Sequence, residues 1–334
     1  VSRAVLLSSA GVLLTAGITG IFIHLVLKLP LLESFLVASV IGSTDAASVF
    51  NILRSKNLNL KENTASLLEM ESGSNDPVSY MLTVILTAVL TGQSVNIGSM
   101  LFFQVFFGIG CGVLFGKSTA VVLNQVDFDI AQGKTILVFA AAILAYTVPS
   151  MIGGNGYLSV YLCGIILGNS YLPHKRDMVL FFDVLTGVAQ MMIFFLLGLL
   201  VTPSELPQVI LPSLVIMIFL TFVGRPVSVA ALLAGFRSSK GQIGLVSWAG
   251  LRGVASIVFA IYVVLRQVHL GYNLFNLVFC IVLLSISIQG TLLPWISAKF
   301  QMIDENADVR RTFNDYQEEE SISFVKFHLY GQHP

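Results

Sequence analysis

Charge is scarce in this sequence. Its 334 residues include 18 basic and 18 acidic ones, 11% in all, whereas 55% are hydrophobic. An ordinary soluble domain carries about a quarter charged residues, so that class is excluded. The two signs cancel, so no net field draws the chain to nucleic acid or to an anionic surface. Cysteine is scarce as well, and Cys111, Cys163 and Cys280 each lie inside an apolar run. That pattern excludes a disulfide framework or thiolate metal centre and leaves three small packing residues. No resident cofactor is expected, and the chain does not read as an enzyme.

What is present is apolar length. Mean hydropathy is +0.86, and uncharged stretches of 20 or more residues recur, the signature of membrane-spanning helices. About ten spans can be read: 5–27, 31–53, 64–90, 100–123, 135–151, 157–169, 178–201, 209–234, 243–265 and 274–296. Asn63-Thr64 has the chemistry of an N-cap for the third. The chain opens at Val1-Ser2-Arg3 and turns apolar at once, which reads as a piece with N-terminal spans missing. Basic residues fall in alternate connections: Arg54, Lys56 and Lys61, then Lys117 and Lys134, Lys175 and Arg176, Arg237 and Lys240, and finally Lys299. The other connections hold little beyond Lys28 and Arg266. By the positive-inside rule both ends of the chain are cytoplasmic, in a multi-pass protein of the cell inner (plasma) membrane. After Phe300 the composition becomes charged, with alternation around Ile322 to His328. Residues 1–300 thus read as a transmembrane domain. Residues 301–334 read as a cytoplasmic linker and the first strand of a truncated regulatory domain, where a small ligand would act.

Three features break the apolar pattern. The third span carries Glu69, Glu71, Ser72, Asn75 and Asp76 ahead of an apolar run, although a charge near mid-bilayer costs at least about 3 kcal/mol. Glu71 and Asn75 share one helical face, Ser72 and Asp76 the adjacent one. The second span is interrupted at Gly42-Ser43-Thr44-Asp45 and the ninth at Gly250-Leu251-Arg252-Gly253. Backbone that leaves the helix inside a membrane must line a cavity or be buried in protein. Interruptions at matching places in two halves point to the binding site of a secondary transporter. Spans one to three and eight to ten then form inverted triplets, with two broken helices crossing near the midplane.

Arg252 and Glu71 are natural partners, because a buried guanidinium does not deprotonate and is costly alone. Asp45 and Asp76 are left to handle a ligand. Carboxylate, hydroxyl and carbonyl oxygens suit small hard cations. One desolvated carboxylate that holds either a proton or an alkali cation, never both, is the physical basis of exchange. Asn75 binds no proton at neutral pH where an Asp would add a titrating charge, so the motif predicts one-for-one, electroneutral exchange.

Together these residues resemble the NhaP-like branch of the monovalent cation:proton antiporters, which includes the animal sodium/proton exchangers. The likeness is carried by Ser43-Thr44-Asp45, Glu71-Ser72-Gly73-Ser74-Asn75-Asp76-Pro77, Gly224-Arg225-Pro226 and Gly250-Leu251-Arg252-Gly253, and covers about residues 1–300. The resemblance implies an all-α, inverted-repeat antiporter fold of about thirteen spans, with a dimer scaffold. It makes Asp76 the essential ion- and proton-binding carboxylate, Thr44, Asp45 and Ser72 further ligands with Asn75 counted among the ion-binding residues, and Glu71 with Arg252 a structural ion pair. Gly73-Ser74 replaces the two apolar residues common before Asn-Asp. That version is associated with bacterial members bearing a TrkA-C-like regulatory module, several of them potassium/proton antiporters. The transported ion is left open between K⁺ and Na⁺.

Two other classes compete. One is a ligand-gated potassium efflux system with channel-like flux on the same architecture; the other is an intramembrane hydrolase with Asp45 and Asp76 as a dyad. Arg225 serves equally as a site residue or as an anchor for a neighbouring helix end. His24 and His269 read as structural, and Asp183 and Gln190 as a shared face turned towards a funnel or, in preference, suited to packing. Phe102, Phe103, Phe106 and Phe107 form an aromatic face for lipid or helix contact.

Overall fold

A computed structural model describes residues 2–56, 58–92, 96–126, 131–172, 175–236, 238–268 and 270–304. Arg237, His269 and the strand expected around 322–328 lie outside the described residues. The ten expected passes are all present as helix. We label them α1 (Ser2–Leu27), α2 (Leu31–Val40) and α3 (Ala46–Ser55), α4 (Thr64–Leu90), α5 (Ile97–Gln125), α6 (Ala131–Met151), α7 (Gly156–Asn169), α8 (Lys175–Leu200), α9 (Pro203–Phe236), α10 (Lys240–Trp248) and α11 (Val254–Leu265), and α12 (Leu274–Lys299). Six are long and apolar enough to cross a membrane: α1, most of α6 (from Gln132), α5, α8, α9 and α12. The 27-residue α4 is long enough but carries its acids. The two broken spans supply α2 with α3 and α10 with α11.

Both breaks fall where glycine and polar residues interrupt the apolar runs. They touch through the backbone, the Asp45 amide donating to the Leu251 carbonyl at 2.8 Å. Glycine permits this approach: a Cβ on Gly253 would overlap the Asp45 carboxylate, and one on Gly42 would lie 2.7 Å from Ser79 Oγ. α4 packs against α2 on one side and α11 on the other, so its polar face looks at the crossing. Three helices contain single π-helical turns, at Leu7–Gly11 in α1, Leu220–Gly224 in α9 and Ser285–Gly290 in α12. Such turns shift the register of everything beyond them.

The N-cap expectation at Asn63 is not met. Asn63 is left-handed (φ 52°) with no capping bond from its side chain, and Thr64 Oγ1 instead donates to the Lys61 carbonyl at 2.7 Å. The His24 ring bonds the Leu29 carbonyl at 2.6 Å, a local anchor. Phe102, Phe103 and Phe106 are largely exposed, as expected of an outward aromatic face.

Apart from the crossing, α5, α6 and α7 form a sheaf joined to α4 through α7. Gly108, Gly112 and Gly116 line one edge of α5, the spacing of small residues that lets membrane helices approach closely. A Cβ on Gly112 would meet the Ser159 carbonyl at 2.7 Å, whereas one on Gly110 meets nothing within 4 Å. Gly112→Leu should therefore destabilise the protein by about 1–3 kcal/mol, read as a lower melting temperature in detergent. Gly110→Leu should leave that temperature at the parent value.

Candidate functional site

The site is built where α4 passes the broken span α2–α3. Asp45 closes the N-terminus of α3, accepting from Ser48 N at 3.2 Å and Ser48 Oγ at 2.7 Å. Its charge thereby faces the positive end of that half-helix. The loop before it is tied to α4 twice over. Ser72 Oγ donates to the Thr44 carbonyl at 2.7 Å and accepts from Ala46 N at 2.9 Å. Ser43, named in the motif but not among the expected ligands, donates its hydroxyl to Asp76 Oδ1.

Glu71 and Arg252 are not partners. Glu71, 1% exposed, pairs with Arg225, 3% exposed, through two hydrogen bonds of 3.0 Å each. In α9 the π turn Leu220–Gly224 directly precedes Arg225, and such a turn displaces the register that regular helical spacing would give. Bidentate pairing is the geometry that a guanidinium and a carboxylate favour. Arg252, 1% exposed, instead donates Nη1 to the carbonyls of Gly42 and Ser43, both at 2.7 Å. It thus neutralises the negative end of α2, and its own amide is held by Ser285 Oγ at 3.0 Å. Of the two alternatives for Arg225, the structure takes neither as framed: it is the ion-pair partner.

Asn75 is also off the position expected of a ligand. Fully buried, it donates Nδ2 to Thr44 Oγ1 at 2.5 Å and to Glu71 Oε1 at 3.2 Å. Its amide is turned to the ion pair because it shares that helical face with Glu71.

Asp76, Asp45, Thr44 and Ser72 line one cavity of about 570 Å³, opening towards the face that carries Arg54. Arg54 and Glu69 line the same cavity. Asp183 and Gln190 of α8 line it too, so they are not the packing pair expected. Gln190 Nε2 reaches Ser48 Oγ at 3.5 Å, which extends the Asp45 cap onto α8. Tyr157 closes the deep side, its ring 4.8 Å from that of Tyr80 and 5.5 Å from Phe259. Sequence reasoning also missed Asn155. It caps α7 by accepting from Leu158 N at 3.1 Å and donates to the Pro77 carbonyl at 2.8 Å, one residue from Asp76. The Asn before Gly156 was a readable N-cap signal; its bond to α4 was not readable. This arrangement offers an oxygen-lined cavity that contains the carboxylates of Asp45, Glu69, Asp76 and Asp183. Among the described residues no cluster of three or more His, Cys, Asp or Glu has the arrangement of a metal site, and an alkali ion here would be cargo.

Residues 1–299 match the family model described as sodium/hydrogen exchanger, transmembrane. The K(+)/H(+) antiporter NhaP of Alkalimonas amylolytica is 34% identical over 99% of this chain and 58% of that protein. The K(+)/H(+) antiporter NhaP2 of Shewanella baltica is 35% identical over 86% of this chain and 50% of that protein. A low-affinity Na(+)/H(+) antiporter, NhaS1 of Synechocystis, is 27% identical over 81% of this chain. The chain therefore spans about half the length of the curated relatives it matches. The sodium proton antiporter MjNhaP1 of Methanocaldococcus jannaschii at pH 8 superposes with a TM-score of 0.78 at 23% identity. It covers 90% of this chain and 79% of that one, which establishes a shared fold.

The corrected pairing makes a thermodynamic prediction. Arg225→Ala strands a buried Glu71 and should cost about 3–5 kcal/mol, with much of the loss restored by adding Glu71→Gln. Arg252→Ala should not be rescued by Glu71→Gln, because those two do not pair. Thermal unfolding of the purified single and double variants checks both statements.

Proposed function

The chain belongs to the sodium/hydrogen exchanger family, and on that footing we propose that it exchanges a monovalent cation for a proton at Asp76, one for one, by alternating access. The observation that carries this reading is the position of Asp76. It lines a cavity together with Tyr157, whose ring lies tilted by 51° against that of Tyr80 at 4.8 Å between centroids. A ring-thick wall beside Asp76 supports exchange over channel-like flux.

One carboxylate, Asp76, that holds either a proton or a cation and never both is the basis of the stoichiometry. Asn75 adds no further titrating charge and holds Thr44 and Glu71 in place. Thr44, Asp45 and Ser72 supply the other cavity oxygens. K⁺ is our assignment for the cation, since the relatives at 34–36% identity are named for it and the one at 27% for Na⁺. We assign the cavity mouth and both described ends to the cytoplasmic side of the plasma membrane, a reading supported by the basic residues in alternate connections. The exposed apolar side chains of α8, among them Met191 and Phe195, are offered to lipid or to a second copy in a homodimer.

Asp76→Asn should reduce exchange by the full-length protein in liposomes to background while leaving its melting temperature near the parent value, since the amide approximates the protonated acid. Exchange at the parental rate would remove Asp76 from the mechanism. In the same vesicles, a pH gradient should drive K⁺ uptake faster than Na⁺ uptake, and clamping the membrane potential at different values should leave rate and end point unchanged. A rate that follows voltage would reject one-for-one exchange.

A further inference from the structure

A second cavity, of about 420 Å³, lies on the opposite side of the aromatic wall. It is lined by Tyr80 and Thr87 of α4, Gln104 of α5, and Tyr262 and Arg266 at the end of α11. Tyr80 belongs to this cavity and Tyr157 to the one holding Asp76, and their rings are 4.8 Å apart. Phe259 completes the wall at 5.7 Å from Tyr80. The two cavities are thus separated by one layer of aromatic side chains.

Two of the lining side chains are polar, buried and unanswered. Gln104 is 3% exposed, and neither its amide nitrogen nor its amide oxygen has a hydrogen-bond partner. Thr87 is 2% exposed, and its hydroxyl has none either. Buried amides and hydroxyls are kept where something completes them. An amide oxygen and a hydroxyl are neutral hard donors that replace part of the hydration shell of an alkali cation. The charge nearby has the opposite sense. Among the described lining residues Arg266 alone is charged, its guanidinium 5.3 Å from the centre of the Tyr262 ring. The cavity of Asp76, by contrast, presents four carboxylates, Asp45, Glu69, Asp76 and Asp183, against one cation, Arg54.

We propose that this cavity is the external half of the exchange path, in which Gln104 and Thr87 form a weak station for a partly hydrated monovalent cation and Arg266 keeps the station weak so that the ion leaves. The inference rests on exchange at Asp76. Its consequence is a difference between the two faces. Cations gather at the cytoplasmic mouth, where carboxylates raise their local concentration, and are shed at the external one. The exchanger therefore has a lower apparent affinity for cations outside than inside.

The test uses full-length protein in liposomes sorted by orientation, with the cation KM measured separately at each face. Gln104→Leu and Thr87→Val should raise the external KM by about 3- to 10-fold, the effect of losing one neutral ligand, and leave the internal KM unchanged. Arg266→Gln should lower the external KM by about 2- to 5-fold at low ionic strength. That gain should fade as choline chloride is added, because an exposed charge acts through a screened field. An external KM that ignores all three changes would overturn the station, leaving Gln104 completed by water alone. If Gln104→Leu fails to fold, Thr87→Cys in a background free of Cys111, Cys163 and Cys280 replaces it. An impermeant thiol reagent should label it from outside only, with K⁺ but not choline slowing the reaction; no labelling from outside overturns the proposal. Persistent exchange by Asp76→Asn would instead undermine the reading on which this one is built. An inactive Asp76→Asn with an unmoved external KM refutes the station alone.

Discussion

An α-helix that stops inside a bilayer leaves carbonyls and amides with nowhere to go, and the whole centre of this molecule answers that problem. The α2 end is met by Arg252, the α3 start by Asp45, and the two breaks by one another through Asp45 N and Leu251 O. The first two of these solutions each place a formal charge in an apolar environment. Every such charge then needs a further one, and so the polar groups of α4 are drawn to the crossing. Asp76 stands apart from the helix ends and the ion pair: among the described residues its carboxylate accepts from the Ser43 hydroxyl.

Glu71 and Arg225 sit beside this centre without facing the cavity. Neither is among the residues that line it, and both are almost fully buried. Their pairing fixes the distance between α4 and α9, hence between the two inverted triplets. Asn75 and Thr44 link that pair to the broken loop. The ion pair is thus a spacer that sets where the carboxylates of the cavity lie.

Most of the architecture was legible in the sequence because its signals are long or rare. Ten apolar runs and two glycine-flanked polar interruptions specify passes and breaks with little ambiguity, and the structure has both. The side-chain partners were not legible, for identifiable reasons. A π turn directly precedes Arg225, a departure that regular helical spacing does not contain, and Arg252 looked the better match for Glu71. Asn75 and Asp76 are neighbours, and which of them meets the cavity depends on how α4 is rolled against α2. Asp183 and Gln190 are far in sequence from the motifs, and their place on the cavity depends on the approach of α8 to the break. The glycine edge of α5 was readable at its four-residue spacing, but the phenylalanines beside it give the stronger signal.

The bond from Asn155 to the Pro77 carbonyl has a mechanical meaning. Proline at 77 is a place where α4 can flex, and the amide that grips it belongs to the α5–α7 sheaf rather than to the crossing. On the proposed alternating access, presenting Asp76 to the other face would shift α4 relative to that sheaf, so this amide would either let go or travel with it. In that reading it is a clutch between a stationary scaffold and a moving carrier, set one residue from Asp76.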